Sequence, residues 1–391
     1  MRKNGKIFEF LMRTVSYILV AALAACATLF LTDRGFGQSK LEQLEALIEE
    51  CFIGDSDKTA MEDAAAAAMV GSLGDQWSYY IPAADYDAYM EQMNNAYVGI
   101  GLTVATEAGE HGFTVLQVEP TGGAKQAGIL VGDVLTHVDG QSILEIGMAA
   151  ARDRIRGEEG TKVKLNLLRN GEALELEVTR QTIQMVVAEG KMLQDNIGLV
   201  TITNFDDRCA EETLKAIEQL RQQGATALIF DVRFNPGGYK AELIKILDYL
   251  LPEGDLFRSQ YYTGQEVVDT SDEACLEMPM AVLINGDSYS AAEFFAAALD
   301  EYDWAVLVGE NTVGKSYFQN TIRLNDGSAV GLSMGKYFTP KGVSLAEVGG
   351  LKPEITVAVD ETTAAKIYAG QLVPEEDPQI MAAVDALRKA S

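Results

Sequence analysis

The sequence predicts an α/β protein built from more than one domain, on three observations. From residue 181 onward, short apolar runs alternate with amphipathic stretches of helical period, a β-α-β progression: "IGLVTIT", "AEETLKAIEQLRQQG", "ALIFDVR", then "AELIKILDYLL", "MAVLING", "SAAEFFAAALDEY" and "AVLVGE". Between residues 96 and 180 the pattern is instead one of short strands and turns. At 391 residues the chain is also long for a single hydrophobic core.

Taken in order, residues 1–36 read as a membrane anchor or signal segment. Arg2, Lys3, Lys6 and Arg13 precede 19 uncharged residues, 14–32, long enough to cross a bilayer with the bulk of the chain outside the cytoplasm. A cleaved signal is the alternative, and "LAAC" resembles a lipoprotein cleavage box that would leave Cys26 as a lipidated terminus. Residues 37–95 predict helices: "SKLEQLEALIEECF" spaces Leu41, Leu44, Leu47 and Ile48 on one face, "AMEDAAAAAMVGSL" is alanine-rich, and "ADYDAYMEQM" is a third, shorter stretch.

Strands begin near Tyr97 with "GIGLTVA", "FTVLQV" and "DVLTHVDG". In "TKVKLNLLRNGEALELEVTR" the Asn170-Gly171 pair between two alternating runs is a hairpin signal. The β-α-β region occupies residues 181–360 and ends in a β-rich stretch, 317–359. Residues 361–391 close with "PQIMAAVDALRKA", expected as a surface helix.

Composition excludes several chemistries. A formal charge of -27, with no basic stripe to offset it, disfavours nucleic acid. The two histidines, His111 in a polar loop and His137 in a strand entering an Asp-Gly turn, lie beside no serine, cysteine or carboxylate cluster, so both read as structural or solvent-exposed and a histidine-free mechanism has to be considered. Cys51, Cys209 and Cys275 have no paired spacing, so neither a disulfide framework nor a metal site is implied.

Ser290 and Lys315, 25 positions apart, are the candidate chemistry. Ser290 with Glu293 fits the S-x-x-E capping box, in which the serine oxygen accepts an early helix N–H and the glutamate reaches back. Taken alone, the capping reading is the favoured one, yet a serine at a strand-to-helix corner is also well placed as a nucleophile, and Ser288 and Asp287 could supply the capping. "GENTVGKS", residues 309–316, satisfies the phosphate-binding G-x-x-x-x-G-K-[ST] pattern, but that pattern needs a helix to begin at the lysine, and "YFQNTIRLNDGSAVGLSMG" predicts a hairpin.

Without histidine, a serine nucleophile needs another base, and a neutral lysine serves. Bringing a lysine from about 10.4 to about 7 disfavours the charge by roughly 4.6 kcal/mol, which an apolar pocket supplies. "WAVLVG", Tyr317 and Phe318 offer that setting. Gln319 is a neutral candidate to orient the amine. Glu301 is the other, although its charge would favour the ammonium. "DVRFNPGGY" ends a strand with two glycines, so Gly237 or Gly238 can pair with the Ala291 amide as oxyanion donors, or the segment is simply a strong turn.

Together "DVRFNPGG", "NGDSYSAAEFFAAAL", "VGENTVGKSYFQ" and "YFTPKGVSLAEVGGLKPEI" resemble, in order and spacing, the C-terminal processing peptidases, and the likeness covers nearly the whole chain. The resemblance implies a crotonase-like α/β serine protease core (181–360) joined to a PDZ domain (96–180). It also implies a Ser-Lys dyad of Ser290 and Lys315 assisted by Gln319, with no cofactor. "YVGIGLTV" then offers Gly99, Ile100 and Gly101 as a nest for a peptide carboxylate, next to a strand with which the tail can pair. The sequence departs from the family's pattern at Tyr289 and Ala292, in its run of small residues, and at Ser316, where a glycine is usual. Tyr289 is expected to narrow the pocket. The expected function is a membrane-anchored extracytoplasmic endopeptidase acting on unstructured C-terminal tails, with dimer contacts through the leading helices open. The contrasting expectation is a catalytically inactive, PDZ-bearing tail-binding or scaffold protein.

Overall fold

The structure is a computed structural model that describes residues 17–21, 39–105 and 107–390. Arg13, Cys26 and most of the apolar run lie outside the described residues, and among those described no helix is long and apolar enough to cross a membrane. The described residues fall into a first unit ending at Tyr80 and a second running from Ile81.

The first unit holds helices α1 (Lys40–Cys51) and α2 (Lys58–Gly71). Ser39 opens α1 in a capping box: its N–H donates to Glu42 Oε2 at 2.5 Å and its Oγ accepts from the Glu42 N–H at 3.3 Å. Asp57 caps α2 by accepting from the Ala60 N–H at 3.1 Å. Lys58 pairs with Glu45, joining the two helices. Leu41, Leu44 and Leu47 stay exposed on α1.

The second unit opens with α3 (Tyr86–Met93) and β1 (Ala96–Gly99). A five-strand path follows, built from β2 (Leu102–Val104), β3 (Phe113–Val118), β4 (Val134–Val138), β5 (Lys162–Arg169) and β6 (Glu172–Thr179), paired in that order. Helices α4 (Gly123–Gln126) and α5 (Ile143–Ile155) belong to the same β-rich part, and β1 pairs separately with β7 (Gln181–Gln184). The two-residue turn between β5 and β6 is Asn170-Gly171, both at positive φ, with Arg169 opposite Glu172. Val115, Leu135, Val138, Ile143, Leu165 and Val178 form its core.

The larger sheet runs β8-β9-β10-β13-β14-β17, from β8 (Ala188–Met192), β9 (Ile197–Ile202), β10 (Ala227–Asp231), β13 (Met280–Ile284), β14 (Ala305–Gly309) and β17 (Ile355–Thr356). Only β8 joins antiparallel; every other pair in the path is parallel. The four central strands, β9, β10, β13 and β14, are apolar on both faces, as a sheet covered on both sides requires. Phe230, Val282, Ile284 and Leu307 point into one cluster with α6 (Cys209–Gln222), α7 (Lys240–Leu250) and α8 (Ala291–Glu301). Leu199, Ile229, Leu283 and Val308 point into another.

That second cluster corrects the sequence reading of the last helix. In α11 (Pro378–Ala390), Ile380, Ala383, Val384 and Leu387 are buried against the sheet, so the helix is a structural layer, not a surface helix. Their i, i+3, i+4, i+7 spacing supplies the apolar stripe. Helix α10 (Glu361–Tyr368) precedes it. A second sheet, whose first hairpin carries little sequence signal, pairs β11 (Gly254–Tyr261) with β12 (Glu266–Ser271) and β16 (Ala329–Phe338), and β16 with β15 (Tyr317–Arg323). Short helix α9 (Leu345–Val348) follows β16.

Candidate active site

Three neighbouring parallel strands bring the three sequence motifs to one end of the large sheet. Asp231, the last residue of β10, pairs with Leu283 of β13, and Ile284, the last of β13, pairs with Gly309, the last of β14. The loops that follow carry the Asn-Pro-Gly-Gly turn, Ser290 and Lys315 respectively. Carboxyl ends of parallel strands are where open α/β sheets build sites.

Ser290 precedes α8 with φ 57° and ψ −125°, a left-handed conformation that a serine adopts at a cost of about 1–3 kcal/mol. Its backbone N–H donates to Glu293 Oε2 at 2.9 Å. The same oxygen accepts the Lys315 N–H at 2.8 Å, while Oε1 accepts the Gly314 N–H at 2.6 Å and the Thr312 hydroxyl at 2.5 Å. Thr312 Oγ1 itself accepts the Leu351 N–H at 2.8 Å, so its proton is free to go to Glu293. Glu293 is fully buried, and burial pushes its carboxyl above the usual range against the pull of these donors. One carboxylate thus ties the start of α8 to the lysine loop. The sequence exposed only the local half of this role, the reach back to Ser290.

Ser288 and Asp287 do not take over the capping. Ser288 is buried, donates to the Val232 carbonyl at 2.8 Å and accepts the Asn285 N–H at 3.0 Å, so it braces the β13 loop against the β10 loop. Asp287 donates its N–H to Asn285 Oδ1 at 3.2 Å. Asn285 Oδ1 also accepts the Phe234 N–H, at 2.9 Å.

Lys315 is half-buried, and its Nζ lies 5.7 Å from the centroid of the Tyr289 ring, one residue before Ser290. Burial, with Asp287 adding to it, pushes the Tyr289 phenol up. Past Lys315 the chain enters β15 rather than a helix, so the phosphate-loop pattern lacks its helix N-terminus. Ser316 is buried and accepts the Ala346 N–H at 3.0 Å, holding the lysine loop to α9. Gln319 Nε2 donates to Ser333 Oγ at 3.0 Å and to the Tyr317 carbonyl at 3.2 Å. Glu301 is engaged elsewhere, with the Thr339 hydroxyl and the Lys341 N–H, each at 2.6 Å.

The two glycines of the β10 loop differ. The Gly237 N–H is taken by Asn235 Oδ1 at 2.8 Å, whereas among the described residues neither Gly238 nor Ala291 has an acceptor for its N–H. Gly237 presses on the serine: at φ +91°, a Cβ there would stand 2.8 Å from Ser290 Cβ. Beneath the loop, buried Arg233 pairs with Asp231 at 2.6 Å and with Asp377, at the start of α11, at 2.9 Å. Gln379 accepts from the same guanidinium at 2.8 Å. Neither histidine is involved: His111 is exposed in the loop before β3, and His137 on β4 contacts the Thr136 hydroxyl at 3.0 Å.

A second arrangement lies between β1 and β2. The Ile100 carbonyl accepts from Ala124 at 2.8 Å and the Gly101 carbonyl from Glu119 at 3.0 Å, while neither the Ile100 nor the Gly101 N–H has an acceptor among the described residues. Gly101 is at φ +76°, and a Cβ there would meet Glu119 Cβ at 2.8 Å. Gly99 closes β1, opposite Gln181.

Residues 196–357 match the model of peptidase family S41, and residues 96–179 that of the PDZ domain. The carboxy-terminal processing protease CtpA of Bacillus subtilis (strain 168) is 32% identical over 355 residues, covering 86% of this chain and 75% of that protein. The chain belongs to peptidase family S41. It is a serine-type protease of the carboxy-terminal processing group, with a PDZ domain and α/β mixed sheets. A probable CtpA-like serine protease of Staphylococcus haemolyticus (strain JCSC1435) is 27% identical over 370 residues, 91% of this chain and 74% of that one. Among solved structures, a putative S41 protease from Bacteroides fragilis NCTC 9343 shares the fold, with a TM-score of 0.52 at 14% identity over 89% of this chain and 97% of that one.

Proposed function

We propose that this S41 peptidase is an extracytoplasmic, membrane-associated endopeptidase of crotonase-like core that captures unstructured C-terminal tails on its PDZ domain and cuts them with Ser290 and Lys315. The observation that carries this reading is the single Glu293 oxygen that accepts both the Ser290 and the Lys315 N–H, since it keeps the two backbones together across 25 residues of sequence. The N-terminal apolar run supports attachment as an anchor, or through Cys26 as a lipoprotein.

In the proposed mechanism, neutral Lys315 takes the proton of Ser290 Oγ as that oxygen bonds to the scissile carbonyl carbon. The carbonyl π pair moves onto oxygen, which faces the Ala291 and Gly238 N–H groups. Gly238 is preferred over Gly237 because the latter's N–H is already bound by Asn235. The intermediate collapses, and the leaving amine takes the proton from the Lys315 ammonium. Water then repeats the sequence on the acyl ester, releasing the carboxylate and restoring the serine. Gln319 assists from β15, fixed by Ser333. No cofactor enters these steps. The Gly99-Ile100-Gly101 turn binds the tail carboxylate through its unused N–H groups, and the tail adds to β2.

The test is to incubate the protein with a denatured substrate bearing an apolar C-terminus and detect fragments by mass spectrometry. Fragments are expected from the unmodified protein and not from Ser290→Ala or Lys315→Ala. Either variant cutting at the unmodified rate overturns the dyad. Tail binding with no fragments at all supports the scaffold alternative.

A further inference from the structure

Tyr289 has a fixed backbone and a ring turned to the lysine. Its N–H donates to the Asn235 carbonyl at 3.1 Å, and its carbonyl oxygen stands 2.9 Å from where a Cβ on Gly237 would lie. The backbone that carries the ring is therefore held by the β10 loop. With Nζ of Lys315 at 5.7 Å from its centroid, it falls inside the distance at which an aromatic face attracts an ammonium. The residue is half-buried, and such attraction grows as water is excluded.

We propose that Tyr289 is a positioning residue whose ring face binds the ammonium form of Lys315 and thereby sets the pH above which the amine acts as a base. This rests on the dyad reading above. The negative face of the ring favours NH3+ over NH2. It opposes deprotonation of the resting lysine, and it also favours the ammonium formed when Ser290 gives up its proton. The two effects share one origin: the acid limb of kcat/KM lies at higher pH, and the plateau is higher, than they would be without the ring. The charged groups on the surrounding elements include Asp287 on the same loop, Arg233 on the β10 loop, Glu293 on α8, Glu310 on the lysine loop and Lys336 on β16, which lies 5.8 Å over the Tyr317 ring. None of them is altered by the Tyr289 substitutions.

The experiment measures kcat/KM against pH on a tail peptide for the unmodified protein, Tyr289→Phe and Tyr289→Leu, with Ser290→Ala and Lys315→Ala as blanks. Leucine keeps an apolar side chain and lacks the quadrupole. The Tyr289→Leu acid limb is expected to move down by about 0.5–1 pH unit, with a several-fold lower plateau, while the Tyr289→Phe limb coincides with the unmodified one. A purely structural role lowers the plateau without moving the limb, and that result overturns the proposal. So does a Tyr289→Phe shift equal to that of leucine, which would assign the effect to the hydroxyl. Should Tyr289→Leu lose its native circular dichroism, Tyr289→Met is read by the same criteria. Turnover retained in either blank defeats the dyad instead, whatever the Tyr289 variants do.

Discussion

Gly237 stands against Ser290 with no space for a side chain between them: a Cβ on the glycine would lie 2.8 Å from Ser290 Cβ and 2.9 Å from the Ala291 nitrogen. Because both neighbours are held by backbone, Gly237→Ala has to displace either the serine or the glycine loop. The expected result is a folded protein whose kcat on a tail peptide falls on the order of 10²-fold, the size of effect that accompanies loss of one oxyanion donor. Circular dichroism alongside the kinetics separates this from unfolding, and an undiminished kcat would contradict the packing argument.

Glu293→Gln replaces one of two accepting oxygens with an NH2 group facing donors. Each carboxylate oxygen now holds two, Thr312 and Gly314 on one, Lys315 and Ser290 on the other, so no orientation of the amide satisfies all four. Urea denaturation is expected to show a loss of about 2 kcal/mol. Cleavage should fall with it. Wild-type stability and activity together in this variant would show that the clamp contributes nothing.

In the PDZ domain, Gly101→Val adds a branched side chain at φ +76°, against Glu119 Cβ. On the tail-capture reading, KM for a substrate with a free C-terminus rises at least about 10-fold while kcat changes little. Amidating the substrate's C-terminus should raise KM for the unmodified protein and have little further effect on the variant. Equal sensitivity of both proteins to amidation would remove the carboxylate nest.

Asp133 gives a pH prediction. Arg169 hydrogen-bonds both its oxygens, at 2.8 and 2.7 Å, and this holds the carboxyl below its usual value against burial, with the Leu130 N–H also lowering it. A depressed carboxyl contributes stability that is fully present above its unfolded value of about 3.9 and is lost as pH falls through the lower folded one. Thermal melts should therefore show the domain losing stability as the pH drops below about 4, and Asp133→Asn should flatten that dependence. A variant whose melting temperature tracks that of the unmodified protein across this range would exclude the pair as its cause.

Much of this architecture was legible because it is local. The Asn170-Gly171 hairpin, the alternating strands and helices of the large sheet and the order of the motifs depend on short-range periodicity and turn chemistry. Other features depend on the fold and left weaker traces. The glutamate of the S-x-x-E motif looked like a helix cap, since nothing in the sequence joins it to Thr312 or Gly314. The glycine whose N–H is consumed had a readable signal, an asparagine two residues earlier that forms an Asx turn, but the motif equally allowed either glycine. The final helix reads from its sequence as a surface helix, and only the finished sheet shows what its apolar stripe covers.

The Arg233 bridge also has a bearing on biosynthesis. Its distal partners, Asp377 and Gln379, come 144 and 146 positions later in the sequence. A ribosome adding about 5–20 residues each second needs roughly 7–30 s to cover that interval. Throughout it the nascent polypeptide carries a guanidinium under the Asn-Pro-Gly-Gly turn with only Asp231 to answer it. Full pairing of that guanidinium therefore waits until the closing helix has been translated.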